Sequence, residues 1–130
     1  MLKKTINYTN YNGEQKTKEC YFNLTKAEIA EMELEIPGGM AANLKQITEA
    51  KDTPSLVKIF KNLILRSYGV KSSDGERFIK TQQVREEFEQ SEAYSELFME
   101  LATNADSAAE FVNGIIPADL ANKVKELENK

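Results

Sequence analysis

Histidine and tryptophan are absent from this 130-residue chain, and cysteine occurs once, at Cys20. Histidine is the commonest general base and the commonest metal ligand, so its absence removes most nucleophilic triads and most zinc sites. A single cysteine excludes an intramolecular disulfide and a cysteine-based metal cluster, and it is typical of a reducing cytoplasm. We expect Cys20 to be a small, buried apolar residue.

Long apolar runs are also missing. Stretches such as residues 62–65 are far too short to span a bilayer. The N-terminus does not resemble a secretory signal, because polar residues interrupt its apolar residues. The chain contains no P-loop, no GxGxxG and no HExxH motif. The sequence therefore predicts no membrane association, no cofactor and no metal site.

Acidic residues are plentiful in the second half. Glu86, Glu87, Glu89 and Glu92 lie close together and could in principle perform acid–base chemistry, but such density on a short helix is typical of a solvated surface. We predict that the chain is not an enzyme.

Charge is distributed unevenly along the chain. Residues 1–80 contain 13 Lys and Arg against 10 Asp and Glu, whereas residues 81–130 contain 4 against 11. The sequence has no basic stripe of the kind that binds nucleic acid, and its acidic second half would repel phosphates. This polarity is compatible with head-to-tail contact between copies, with docking of a basic partner, or with an ordinary solvated helical surface.

The first 23 residues have the alternating pattern of strands. Ile6 and Tyr8 alternate with polar neighbours, Cys20 and Phe22 do the same, and Asn12-Gly13 between them favours a tight turn. The pattern predicts a β-hairpin over residues 2–23. Because such a hairpin is marginal alone, it must pack on helices or pair with another chain, which makes its edges a candidate homo-oligomer surface.

Helix signals follow from residue 24 onward. Thr25 and Glu28 form a capping box for a helix that ends before Pro37, and a second helix is predicted over residues 41–50. A third begins near Pro54, has Leu56, Val57, Phe60, Leu63 and Ile64 recurring at three- and four-residue spacing, and ends at Gly69 in the left-handed conformation. After a polar turn over residues 70–80, the predicted helix starts are Thr81, Ser91, a capping box at Ser107 and Glu110, and Pro117.

The predicted fold class is therefore mainly α, with an N-terminal β-hairpin packed on about six short-to-medium helices. We find no internal repeat and no linker of domain-separating length, so residues 1–130 are expected to form a single domain. Within it, residues 2–23 are the hairpin and residues 24–128 the helical part, with a frayed, charged C-terminal end.

Several short segments, in this order, resemble a known family. They are YFNLTKAE (residues 21–28), SYGVKSSDGERFIK (67–80), FEQSEAY (88–94), LFMEL (97–101) and FVNGIIP (111–117). Together they resemble the tail assembly chaperones of long-tailed bacteriophages that infect Gram-positive bacteria. The resemblance covers about residues 15–117.

The resemblance implies a non-enzymatic assembly factor that acts in the host cell cytoplasm and is not expected in the mature virion. Proteins of this family bind the long tape-measure protein, keep it soluble, and help to recruit tail-tube protein around it. Many are also made in a longer form by ribosomal frameshifting, in which case the extension would follow residues 123–130. A tape-measure chain exposes apolar helical stripes before its tube forms, so a small helical protein could cover them.

Within this resemblance, we predict partner binding at the turn around Tyr68, Lys71, Asp74, Gly75 and Phe78. The alternative interpretation is a helix stop followed by a packed phenylalanine. The main rival for the whole chain is a structural virion component, such as a tail-tube or connector subunit, although tube subunits usually need more β-sheet than one hairpin. A small regulatory or nucleic-acid-binding protein is a third class, which the acidic balance weakens.

Overall fold

The structure, a computed structural model, describes residues 1–35 and 53–116. These residues form one four-stranded antiparallel sheet, in the order β1-β2-β3-β4, and five helices. The strands are β1 (Leu2–Thr9), β2 (Gln15–Phe22), β3 (Tyr68–Lys71) and β4 (Phe78–Ile79). The helices are α1 (Lys26–Glu35), α2 (Thr53–Ser67), α3 (Gln82–Glu89), α4 (Glu92–Thr103) and α5 (Ala105–Ile115).

The predicted N-terminal hairpin is confirmed. β1 and β2 pair over their full length, from Leu2 opposite Phe22 to Thr9 opposite Gln15. The connecting loop spans residues 10–14, where the Asn10 side chain accepts hydrogen bonds from the Asn12 and Glu14 N–H groups, both at 3.0 Å. Gly13 has a φ of +79°, which explains the glycine there.

The sequence missed two strands. The segment predicted as a polar turn over residues 70–80 is a second hairpin, in which β3 pairs with β2 on one side and with β4 on the other. Gly69 was expected to end a helix in the left-handed conformation, and this is wrong: α2 ends at Ser67 and Gly69 lies in β3, opposite Tyr21. The left-handed glycines among the described residues are Gly13 and Gly75.

The helix starts follow local capping chemistry. The capping box is confirmed, since the Glu28 N–H donates to Thr25 Oγ1 (3.1 Å) and the Thr25 N–H to Glu28 Oε1 (3.0 Å). Thr81 and Ser91 cap α3 and α4 as predicted. The predicted box at Ser107 is wrong, because Asn104 caps α5 and accepts the Ser107 N–H at 3.1 Å.

The predicted count of about six helices is corrected to five within residues 1–35 and 53–116. The helices predicted over residues 41–50 and from Pro117 lie outside the described residues, as does the frayed C-terminal end. No helix in the described part of the chain has the length and apolar character needed to cross a bilayer.

One aromatic residue connects the elements of the core. Phe22 is fully buried, and its ring makes edge contacts with Tyr68, Phe88 and Phe111 at centroid distances of 5.7, 5.9 and 5.2 Å. These rings come from β2, β3, α3 and α5, so a single side chain joins the sheet to two helices. Of the apolar residues that recur at helical spacing in α2, Leu63 and Ile64 are buried, whereas Val57 is 39% exposed.

Candidate partner-binding surface

Two features of the described residues concern metal binding and thiol exposure. Residues 1–35 and 53–116 contain no group of three His, Cys, Asp or Glu side chains that could hold a metal ion. Cys20 is 2% exposed, and burial raises the pKa of its thiol despite the opposing charge of Lys18. The prediction that Cys20 is a small buried residue is confirmed.

The turn between β3 and β4 is built by its own side chains. The Asp74 carboxylate accepts hydrogen bonds from the Ser72 hydroxyl (2.6 Å) and the Glu76 N–H (3.1 Å), and these two bonds lower the pKa of Asp74. Gly75 has a φ of +76° and donates its N–H to the Ser72 carbonyl at 3.0 Å. Asp74 and Gly75 are both exposed, so this turn projects into solvent with a fixed shape.

Tyr68 does not belong to that exposed turn. Its side chain is 6% exposed, and its ring stacks on Phe88 at a centroid distance of 4.0 Å. In β3 the side chains alternate between the two faces of the sheet. Tyr68 and Val70 therefore lie on the face that is turned to the helices. Of the five residues predicted to bind a partner, Tyr68 is therefore part of the core.

Lys71 and Phe78 lie directly opposite each other in neighbouring strands, on the sheet face that is turned away from the helices. The Lys71 ammonium lies 4.3 Å from the centre of the Tyr21 ring, within cation–π range. The Phe78 ring covers Gly69. Tyr21 is therefore added to the residues of this candidate surface. The sequence contained a signal for it, because it is an aromatic residue at a position where strand alternation places the side chain in solvent.

A groove separates β2 from β3 beside this patch. The two strands pair only at Tyr21–Gly69 and Phe22–Tyr68, and beyond that point a cavity of about 400 Å³ opens. We call it the β2–β3 groove, and its lining includes Lys18, Cys20, Tyr68, Val70, Val84 and Phe88. Sequence reasoning could not find it, because β3 was not predicted and the groove exists only between two strands that are distant in sequence.

Lys18 lies over the aromatic floor of the β2–β3 groove. Its ammonium is 5.8 Å from the centre of the Tyr68 ring and 6.0 Å from that of Phe88. Val70, at the opposite wall, is 45% exposed. The surface around β3 therefore offers an aromatic and cationic patch on one sheet face and a partly apolar groove on the other.

The chain was compared with known protein families, curated proteins and solved structures. A family model described as "Phage tail assembly chaperone" matches residues 1–130. No curated protein and no solved structure matches the chain.

Proposed function

Because this chain belongs to the phage tail assembly chaperone family, we propose that it binds the tape-measure protein and keeps it soluble while the tail tube assembles around it. The observation that carries this proposal is the family match over the whole chain, residues 1–130. In this role the chain is a non-enzymatic factor of the host cell cytoplasm, and it leaves before the virion is complete. Contact with the tail-tube protein belongs to the same proposal.

The surface chemistry around β3 supports a protein-binding role. Val70 is 45% exposed, and the exposed turn at Asp74 and Gly75 is held in one shape by hydrogen bonds. A rigid surface loses little conformational entropy on binding. An exposed apolar side chain beside such a surface can cover apolar segments of an unassembled tape-measure chain.

Co-expression tests the proposal directly. The tagged chain is produced together with the longest coiled-coil-like protein encoded in the same genome, and an unrelated tagged protein of similar size and charge serves as the control. We expect the long protein to become soluble and to co-purify only with this chain. If the long protein stays insoluble when it is co-expressed with the folded chain, and also with any frameshifted longer form of the chain, the tape-measure role is wrong. Recovery of the chain at high copy number from purified virions would then favour a structural component of the tail.

The two hairpin turns allow the predicted site to be tested with a matched control. Asp74→Ala with Gly75→Asn removes the carboxylate but keeps a residue that tolerates positive φ. Asn10→Ala with Gly13→Asn makes the equivalent change in the first hairpin, whose glycine has nearly the same φ. If the β3–β4 turn binds the partner, only the first variant loses co-purification while both remain folded by circular dichroism. Equal binding by both variants would remove Asp74 and Gly75 from the site.

A further inference from the structure

We propose that the β2–β3 groove is a docking site for an extended, uncharged segment of the partner protein, which adds to the edge of β2 as a further strand. This inference rests on the proposed function, in which the partner is the tape-measure protein. It goes beyond that function by naming the site and the conformation of the bound segment. The backbone groups that face the groove decide which kind of segment can bind there.

The hydrogen-bond pattern of the first hairpin identifies those groups. In an antiparallel pair, successive residues alternately direct their N–H and C=O groups toward the partner strand and away from it. The Asn10 N–H donates to the Glu14 carbonyl at 2.9 Å, which makes residues 10 and 14 a bonded pair. Counting along the register from there, Lys18 and Cys20 bond to β1. Thr17, Glu19 and Tyr21 therefore direct their backbone groups to the other side.

A second observation agrees with this assignment. The Asn23 N–H, two residues beyond Tyr21, donates to the Ser67 carbonyl at 2.8 Å on the β3 side. Tyr21 is paired with Gly69, and the β2–β3 register ends there. The backbone groups of Glu19 thus point into the opening, and those of Thr17 point to the same side of β2 just beyond it. By the same alternation, Lys71 of β3 directs its N–H and C=O into the opening from the opposite wall.

Unpaired backbone N–H and C=O groups along a strand edge favour binding of an extended segment over binding of a helix. A helix satisfies its own N–H and C=O groups, whereas an extended chain presents donors and acceptors at the spacing that β2 requires. An extended segment also alternates its side chains, so that every second one would point to the helix side of the sheet. On that side lie Val70, Val84 and Phe88, which would surround an aliphatic side chain.

The charges around the groove argue for an uncharged segment. Its charged lining residues are Lys18, Lys71, Glu19 and Glu87, so positive and negative groups are equal in number. A charged side chain would gain no net attraction there and would lose hydration. The apolar floor of Tyr68 and Phe88 favours a hydrophobic residue that displaces the Lys18 ammonium from above the two rings.

Proline substitutions at two paired positions test this site. Thr17→Pro removes an N–H on the same edge of β2 as that of Glu19, where the docked strand would continue past the groove, and Asn7→Pro removes one that points to the outer edge of β1, directly opposite in the register. The pair is well matched, because the Thr17 hydroxyl donates to the Asn7 side chain at 2.8 Å and both variants lose that bond. Thermal unfolding of each variant establishes that it is folded.

We expect Thr17→Pro to reduce retention of the tape-measure protein by about tenfold or more, as loss of one or two backbone hydrogen bonds would do, and Asn7→Pro to retain it. Val70→Glu should act like Thr17→Pro, with Val57→Glu as its control, since Val57 is similarly exposed on α2. In the complex with the unchanged chain, hydrogen exchange of the Glu19 amide should slow, while that of the Asn7 amide should not.

The outcomes separate the two proposals. If the unchanged chain retains the tape-measure protein and both proline variants do so equally, the groove is not the docking site and the proposed function stands. If the unchanged chain retains none of it, both proposals fail. If Thr17→Pro instead alters the oligomeric state of the isolated chain, a second copy occupies the groove and the docking proposal is overturned.

Discussion

Gly69 and Phe78 lie in neighbouring strands, and the Phe78 ring occupies the space beside residue 69. A Cβ atom added to Gly69 would lie 2.7 Å from Phe78 Cε2 and 2.9 Å from Cδ2 and Cζ. Real Cβ atoms do not approach other carbons so closely, because repulsion rises steeply below van der Waals distance. Glycine at this position is therefore explained by a ring on top of the sheet and not by backbone conformation.

This contact leads to a prediction with an internal control. Gly69→Ala should lower the free energy of unfolding by about 1–3 kcal/mol, the range found when a packed site is overfilled. In a chain that already carries Phe78→Ala, the same substitution should cost little, since the obstructing ring is gone. Urea unfolding of the two single variants and the double variant measures the coupling. Equal costs of Gly69→Ala in both backgrounds would refute the steric explanation.

At the scale of single elements, helix starts show how local chemistry competes with sequence pattern. Ser107 and Glu110 match a capping box, yet α5 begins two residues before Ser107 with Asn104 as its cap. Asn104 also ends α4, where its N–H donates to the Glu100 carbonyl at 3.1 Å. One residue therefore serves both helices, and an asparagine side chain is among the best N-cap acceptors.

Substitution at these two positions distinguishes the two caps. Asn104→Ala should lower the free energy of unfolding by about 1 kcal/mol, because the Ser107 N–H loses its acceptor. Ser107→Ala should change it by a few tenths of a kcal/mol at most, as expected inside a helix. Thermal or urea unfolding compares them. A larger loss for Ser107→Ala would restore Ser107 as the cap.

The start of α1 is connected to the second hairpin through one ammonium group. Lys80 Nζ lies 2.7 Å from Glu28 Oε2 and donates to the Asn23 carbonyl at 2.6 Å, with its side chain only 15% exposed. Burial raises the pKa of Glu28, but the hydrogen bonds from Lys80 and the Thr25 N–H outweigh it and hold the pKa below its ordinary value of 4.5.

This lowered pKa predicts a pH-dependent contribution to stability. A carboxyl group with a lowered pKa in the folded state stabilises the fold above its ordinary pKa, and the contribution is lost as the pH falls through the lowered value. At pH 7, Glu28→Gln should therefore lower the free energy of unfolding by about 1–2 kcal/mol, and the deficit should vanish in acid below pH 4.5. Glu31→Gln, at an exposed position of the same helix, is the control. A deficit that is unchanged in acid would contradict this account.

At the scale of the whole molecule, one core holds the described elements together. Buried residues from both hairpins and from all five described helices belong to it, and Phe22 and its aromatic neighbours are among them. A shared core predicts cooperative unfolding. Phe22→Leu should lower the free energy of unfolding by about 1–3 kcal/mol and shift the far-ultraviolet and tyrosine circular dichroism transitions together. Separate transitions would show that the hairpin and the helices unfold independently.

The sequence predicted the structural features that depend on residues close together in the chain. It missed the features that depend on contacts between distant residues. Alternation identified Ile6, Cys20 and Phe22 as inward, and the capping residues Thr81 and Ser91 identified the starts of α3 and α4. β3 and β4 are only four and two residues long and gain their hydrogen bonds from β2 and from each other, so no local pattern marks them. The predicted site was a single turn, whereas Tyr68 faces the core and Lys71 and Phe78 face outward, because strand geometry alternates side chains.

The position of Phe22 in the chain has a consequence for synthesis. The three rings that it contacts belong to Tyr68, Phe88 and Phe111, all of which leave the ribosome after it. The first hairpin can close as soon as it emerges, but its apolar face is not fully covered until α5 has been made. The newborn hairpin thus keeps part of its apolar surface exposed until then, and a chain truncated before Phe111 should be more prone to aggregation than one that extends past α5.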